Sequence, residues 1–482
     1  MEHVVKKGEN TQEVKYNKWA ILFCVVTMTF MSCIDGSIVN VALPKISYDL
    51  NKPILDTQWI VTTYLMVISA LVLLCGRIGD IKGKCKVFKV GVLIFTIGSF
   101  FSGLSKTLPL LIVSRAIQGV GGSCAMATGM GIITAFFNEK ERGKAMGLSA
   151  SAVAMGVMVG PALGGILVSI RWDLIFWINV PIGIIAFLLS MVYLPKMETN
   201  SKEKIDIRGT IVFAIFIVSS MLSITKGEVL GYTDKYIMLG FIVSIVSFTV
   251  FIYLQKTVES PVLDLNLFKT KLFSLSIVCS ALSFLAISSM NIIIPLYLEQ
   301  ALQMSSLHAG LFLMIYPLCL SIVAPLSSSL SDRFNGRLIS LIGISLLTVA
   351  LFFMGRININ STLIYLGTCC AIMGVGNGIF KSTNNALVME KVPKHRLGIA
   401  GSVNSLVSNL AMAYGFTFAT TILYGRMSYR LGYKVTNYIP GHEEAFLYGL
   451  DCVFFSATIM CCLLYTSPSP RDGPLSRMPS SA

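Results

Sequence analysis

Residues 31–44 read MSCIDGSIVNVALP, and they close an apolar run, Trp19 to Leu43, that is long enough to cross a bilayer. One carboxylate, Asp35, lies inside that run. An ionised side chain at such a depth is costly, so its ordinary reading is a group that faces protein or water and has a task there. The alternative is an Asp near a helix end whose head snorkels to the interface.

Working outward, apolar runs of similar length recur along the whole chain. A ruler of about 20 residues per crossing places fourteen spans near 19–42, 57–75, 87–104, 108–136, 145–169, 175–194, 209–225, 236–255, 272–298, 309–330, 338–355, 361–389, 398–425 and 445–464. The expected fold is therefore an all-α polytopic membrane protein. Only 13% of the 482 residues are charged while 54% are hydrophobic, whereas soluble domains carry about 25% charge. The net charge of +14 does not indicate nucleic acid, because the basic residues fall in short loops between apolar runs. Loops holding Lys82, Lys84, Lys86 and Lys89, or Lys140, Arg142 and Lys144, alternate with poorer ones such as that of Lys106. This bias expects both termini in the cytoplasm.

Most of the 12 cysteines lie inside apolar runs, and the 4 histidines are scattered. No metal site is legible and no cofactor is expected. No P-loop, HExxH helix or nucleophile with its base is present, so the chain does not read as an enzyme. No loop is long enough for a soluble signalling domain.

An internal echo organises the spans. GRIGDIKGKCK (Gly76 to Lys86) follows span two, and SLSDRFNGR (Ser329 to Arg337) follows span ten. Corresponding loops in two halves are the mark of a transporter made of related bundles. The expected division is a cytoplasmic N-terminus 1–18, a six-helix bundle 19–194, a linker with two inserted spans 195–271, and a second six-helix bundle 272–464. The Pro/Ser-rich stretch 465–482 reads as non-native read-through or as an ordinary disordered tail.

Three sets of residues are candidates for function. Arg115 on span four lies at about the depth of Asp35 below the outer surface, some 10–12 Å by helical rise. A coupled pair is expected, with protonation of Asp35 as the switch; Arg115 also reads as a hydrogen-bond hub tying span four to neighbouring backbone, and the two roles are compatible. On span five, Gly156, Gly160 and Gly164 recur every four residues on one face, with Gly165 beside them and Pro161 to bend the helix. In the first echo loop, Asp80 is expected to cap a helix and Gly76 and Gly83 to allow tight turns, with Lys84 as an anchor; Asp332, Arg333 and Arg337 are the counterparts in the second. Lys381 is expected to snorkel from the inner end of span twelve. Trp59, Tyr64, Trp172, Phe176, Trp177 and Tyr297 are expected in interfacial belts.

These motifs together resemble the major facilitator superfamily, and within it the fourteen-span drug:proton antiporters of the EmrB/QacA type. IDGSIVNVALP resembles the first-span signature, with Asp35, Asn40, Ala42, Leu43 and Pro44. GRIGDIKGK is similar to the loop motif, departing at Ile81, where a basic residue is usual, and at Cys85. RAIQGVGG carries Arg115, Gln118, Gly119 and Gly122 of the fourth-span motif linked to proton transfer, and GVMVGPALGG resembles the antiporter motif of span five. FWINVPIG and DIRG match the fourteen-span branch. The resemblance implies two six-helix bundles with two extra central spans, and proton-driven export of amphiphilic or cationic small molecules from the cytoplasm by a monomer in the cell membrane. Asn40 and Gln118 would then line the substrate cavity, and Gly76, Asp80, Gly83 and Lys84 would gate the cytoplasmic side. A carrier of one metabolite or antibiotic is the alternative.

Overall fold

A computed structural model describes residues 17–195, 205–258, 261–263, 265–333, 336–390 and 397–463. Its described residues contain no strand and fourteen helices long and apolar enough to cross a membrane. They are α1 (Lys18–Asp49), α2 (Ile54–Lys82), α3 (Lys84–Leu104), α4 (Leu108–Phe136), α5 (Ala145–Ile170), α6 (Leu174–Tyr193) and α7 (Ile207–Gly227). They continue with α8 (Lys235–Thr257), α9 (Lys271–Ala301), α10 (Ser306–Ser327), α11 (Leu338–Gly355), α12 (Leu363–Asn385), α13 (Ala400–Leu431) and α14 (Glu443–Cys462). The stretch 465–482 lies outside the described residues.

Local chemistry sets the starts. Asn17 accepts from the backbone N–H groups of Trp19 and Ala20 at the start of α1, and Asp234 from that of Tyr236 at the start of α8. Each side chain satisfies donors that the first helical turn leaves free. Gly83, at φ +94°, makes the abrupt corner between α2 and α3, a conformation that suits glycine.

Helix α1 is longer than its apolar run, because it passes Pro44 and continues to Asp49. The bond lost at Pro44 is tolerated inside a buried turn formed by Val41, Ala42, Leu43 and Ile46. Asp35 consequently lies about 21 Å from the end of α1 by helical rise, deeper than a span ending at Leu43 implies.

The packing repeats itself pair for pair in the two halves. α1 packs on α5 as α9 does on α13, α2 on α4 as α10 does on α12, and α3 on α4 as α11 does on α12. The repeat extends to single glycines: a Cβ at Gly121 of α4 would strike the backbone of Gly91 and Phe95 on α3, and one at Gly376 of α12 that of Gly343 and Leu347 on α11. The architecture is two six-helix bundles plus two additional spans, as the sequence leads one to expect. The bundles meet where α5 packs on α10 and α2 on α13. The additional pair bridges this second seam: α7 packs on α2, while its Ser220 and Thr225 hydroxyls meet Tyr414 and Thr417 of α13.

Candidate functional site

The polar centre of the first bundle is built around Asp35, whose side chain is fully buried. Its Oδ2 pairs with Arg115 Nη1 at 2.7 Å. Its Oδ1 accepts from Gln118 Nε2 of α4 at 2.9 Å and from Asn179 Nδ2 of α6 at 2.8 Å. Arg115 Nη1 also donates to Gln118 Oε1, and its Nε donates to the Ile60 carbonyl of α2. Gln118 reaches Ser99 of α3. Five helices therefore share one hydrogen-bonded network, and the network closes on itself.

Aromatic rings complete the enclosure. The guanidinium lies 4.2 Å from the ring centroid of Tyr64 and 5.7 Å from that of Phe176, so the cation meets π faces as well as the carboxylate. Tyr64, Phe176, Trp59 and Tyr297 are all buried; none of the four belongs to an interfacial belt. The low dielectric around such a network strengthens every bond in it and penalises every vacancy. Asn179 Oδ1 is one buried acceptor that lacks a partner among the described residues.

Asp35 and Arg115 are thus together, and Gln118 joins them in the buried network instead of lining an open surface. Asn40 is elsewhere: it is buried, and its Nδ2 turns back to the Gly36 carbonyl of its own helix at 3.4 Å. Asn179, Ser99 and Tyr64 complete a site that residue spacing does not reveal. Asn179 lies in FWINVPIG, and an amide in an otherwise apolar stretch is the one local signal it leaves.

The glycines of α5 serve two neighbours. Gly156, Gly160 and Gly164 face α1, where a Cβ would strike Cys33, Ser37 and Ile38 respectively. Gly165 turns the other way, and a Cβ there would lie 2.5 Å from the Ser306 carbonyl of α10. Gly310 of α10 in turn lies against the Pro161 carbonyl. The same helix is therefore tight against its own bundle and against the opposite one.

At the other end of the bundle, Asp80 forms an ion pair with Lys84 at 3.1 Å and does not cap α3, whose start receives no side-chain cap. Lys84 is four residues on, across a one-residue corner, and takes the carboxylate first. Gly76 is adjacent to Ser402 of α13, at the seam between the bundles. The side chains of Asp332, Arg333 and Arg337 lie outside the described residues.

The Major Facilitator Superfamily model matches residues 25–416. The chain is 34% identical over 446 residues to "Riboflavin transporter RibZ" of Clostridioides difficile (strain 630), covering 92% of this chain and 95% of that relative. It is 26% identical over 416 residues to "Multidrug resistance protein Stp" of Mycobacterium tuberculosis (strain ATCC 25618 / H37Rv), covering 85% of this chain and 77% of that relative. Among solved structures, a peptide transporter POT in complex with sulfate superposes with a TM-score of 0.66 at 13% identity, covering 96% of each chain. That last likeness concerns the fold alone.

Proposed function

The chain belongs to the Major Facilitator Superfamily, and from that premise we propose that it is a proton-coupled transporter of the fourteen-span drug:proton antiporter type, exporting amphiphilic small molecules by alternating access. The observation that carries the coupling is the enclosure of Asp35. A carboxylate held by Arg115, Gln118 and Asn179 without solvent exposure has its ionised form matched by three donors. Protonation would remove the charge those donors serve and release Arg115 for a different arrangement of α1 against α4. A proton taken up on one side and given up on the other would then bias which face of the seam is open. The basic loops support a cytoplasmic N-terminus, so the end of α1 at Asp49 would face outside.

A second reading, transport of one metabolite, has its own support: identity to the riboflavin transporter is 34%, against 26% for the multidrug resistance protein. The two readings share the coupling site and differ in the cargo.

The test is transport into everted membrane vesicles under an imposed pH gradient, with ethidium, carboxyfluorescein and riboflavin as cargoes. Gradient-dependent movement of at least one cargo, lost in Asp35→Asn at equal membrane abundance, is the expected result. Movement indifferent to the gradient would overturn the coupling. Movement of riboflavin alone would replace the drug reading with the metabolite reading.

A further inference from the structure

Lys381 does not snorkel. It lies four residues before the end of span α12 at Asn385, in a helix that runs on to Glu390. Its ammonium instead lies 5.0 Å from the ring centroid of Phe284 on α9, and Cys33 of α1 is close enough to feel its charge. α1 and α9 belong to different bundles and touch each other, so Lys381 reaches the interface between the halves. It is half-buried there, as are Cys33 and Phe284. The glycine correspondence that pairs Gly121 with Gly376 places Met126 at the matching position on α4, and Met126 is 40% exposed. Both bundles thus present an accessible side chain from the same register.

The charge is unmatched among the described residues. Asn377, Lys381 and Asn385 follow one another at four-residue spacing on one face of α12, with Asn384 adjoining. The amides are provided for: Asn377 donates to the Tyr316 hydroxyl, Asn384 to the Ser276 carbonyl, and Asn385 accepts from Asn404. Among the described residues no carboxylate pairs with Lys381, and the partner it has there is the Phe284 ring. Asp35 does not balance it, since both oxygens of that carboxylate are engaged within the first bundle. A π face offsets only part of what an ammonium loses on leaving water. A lysine inside a span with no anion beside it among the described residues is the arrangement expected of a group whose counter-charge arrives with a ligand.

We infer that Lys381 is the counter-charge for the transported molecule, so that the site between the bundles takes an amphiphile bearing an acidic group, such as a carboxylate, phosphate or ionisable imide, and disfavours cations. This rests on the transporter reading above and narrows its cargo. A fixed positive charge selects by attraction and by repulsion together.

The test uses the full chain in proteoliposomes under one imposed pH gradient, with carboxyfluorescein and ethidium as probes. Wild type is expected to move carboxyfluorescein about tenfold faster than ethidium. Lys381→Gln should slow carboxyfluorescein about tenfold, and Lys381→Arg should keep most of the rate. Wild-type preference for ethidium, or a Lys381→Gln rate for carboxyfluorescein equal to wild type, would overturn the inference. A second arm needs no transport: alkylthiolation of Cys33 by anionic and cationic methanethiosulfonates, read by mass spectrometry. The anionic reagent should react faster in wild type, and that preference should fall about fivefold in Lys381→Gln. An unchanged ratio overturns the site. Should neither dye move, the drug reading fails and the labelling arm decides the role of Lys381 by itself.

Discussion

Arg115 Nη1 stands 2.7 Å from Asp35 Oδ2, and the two side chains are 1% and 0% exposed. Removing one member of such a pair strands the other charge, which costs about 3–5 kcal/mol. Arg115→Gln is therefore expected to lower stability severely. The double variant Asp35→Asn/Arg115→Gln should recover more than half of that loss, because it leaves no orphan charge. Melting of the detergent-solubilised protein, followed by size-exclusion chromatography, measures the cycle. Simple additivity of the two single effects would show that the pair is not energetically coupled.

Asn179 is the third leg of the network, 2.8 Å from Asp35 Oδ1. A hydrogen bond to a charged group contributes about 1.5–3 kcal/mol. Asn179→Leu should lose that amount and reduce gradient-driven transport by about tenfold, whereas Asn179→Ser, which keeps a donor, should lose less. The comparison is made in the same vesicles at matched abundance. Equal activity of Asn179→Leu and wild type would remove Asn179 from the site.

The architecture was legible because each crossing needs its own apolar run, and fourteen such runs are spaced along the chain. The pairing of Asp35 with Arg115 was legible too, since two opposite charges at similar depth have few other partners in lipid. Asn179 was not, because 144 residues separate it from Asp35 and an amide carries no charge to give its depth meaning. Tyr64 and Phe176 lie near helix ends by count, where aromatics commonly mark the interface; they are core rings because Arg115 needs faces to lie against. Lys381 illustrates the same limit. Span twelve was legible to within a residue of Glu390; what an apolar run does not show is that the ammonium lies against the Phe284 ring of another helix.

Asp206 ties the additional spans together: Oδ1 accepts from the Gly209 backbone N–H at 2.7 Å, and Oδ2 from Gln255 Nε2 of α8 at 2.9 Å. Gln255 continues the link by accepting from the Leu263 backbone N–H. Loss of an N-cap costs about 0.5–2 kcal/mol, and the bond to Gln255 adds to it. Asp206→Ala is expected to expose the segment after α8 to limited proteolysis while the Asp35 network is unchanged. Cleavage at the wild-type rate would show that the link does not hold the segment.

Gly165 offers a conformational test, because its neighbour belongs to the other bundle. A Cβ there would lie 2.5 Å from the Ser306 carbonyl and 2.9 Å from Leu307 Cα, backbone that has no rotamer with which to retreat. Gly165→Ala should therefore push α5 and α10 apart, and with them the same end of the second seam, where Thr420 donates to Gln58 Oε1 and the Ile54 N–H to Asn437 Oδ1. Overpacking of this kind costs about 1–3 kcal/mol, enough to shift a two-state equilibrium by about 5- to 150-fold. Gly147, where a Cβ meets nothing within 4 Å, is the control, and Gly147→Ala should be neutral or slightly stabilising. Cross-linking of a cysteine pair introduced at Ile54 and Asn437 reads that end of the second seam directly. Its yield should fall in Gly165→Ala and hold in Gly147→Ala; equal yields in both would mean that α5 and α10 separate by some other contact than this glycine.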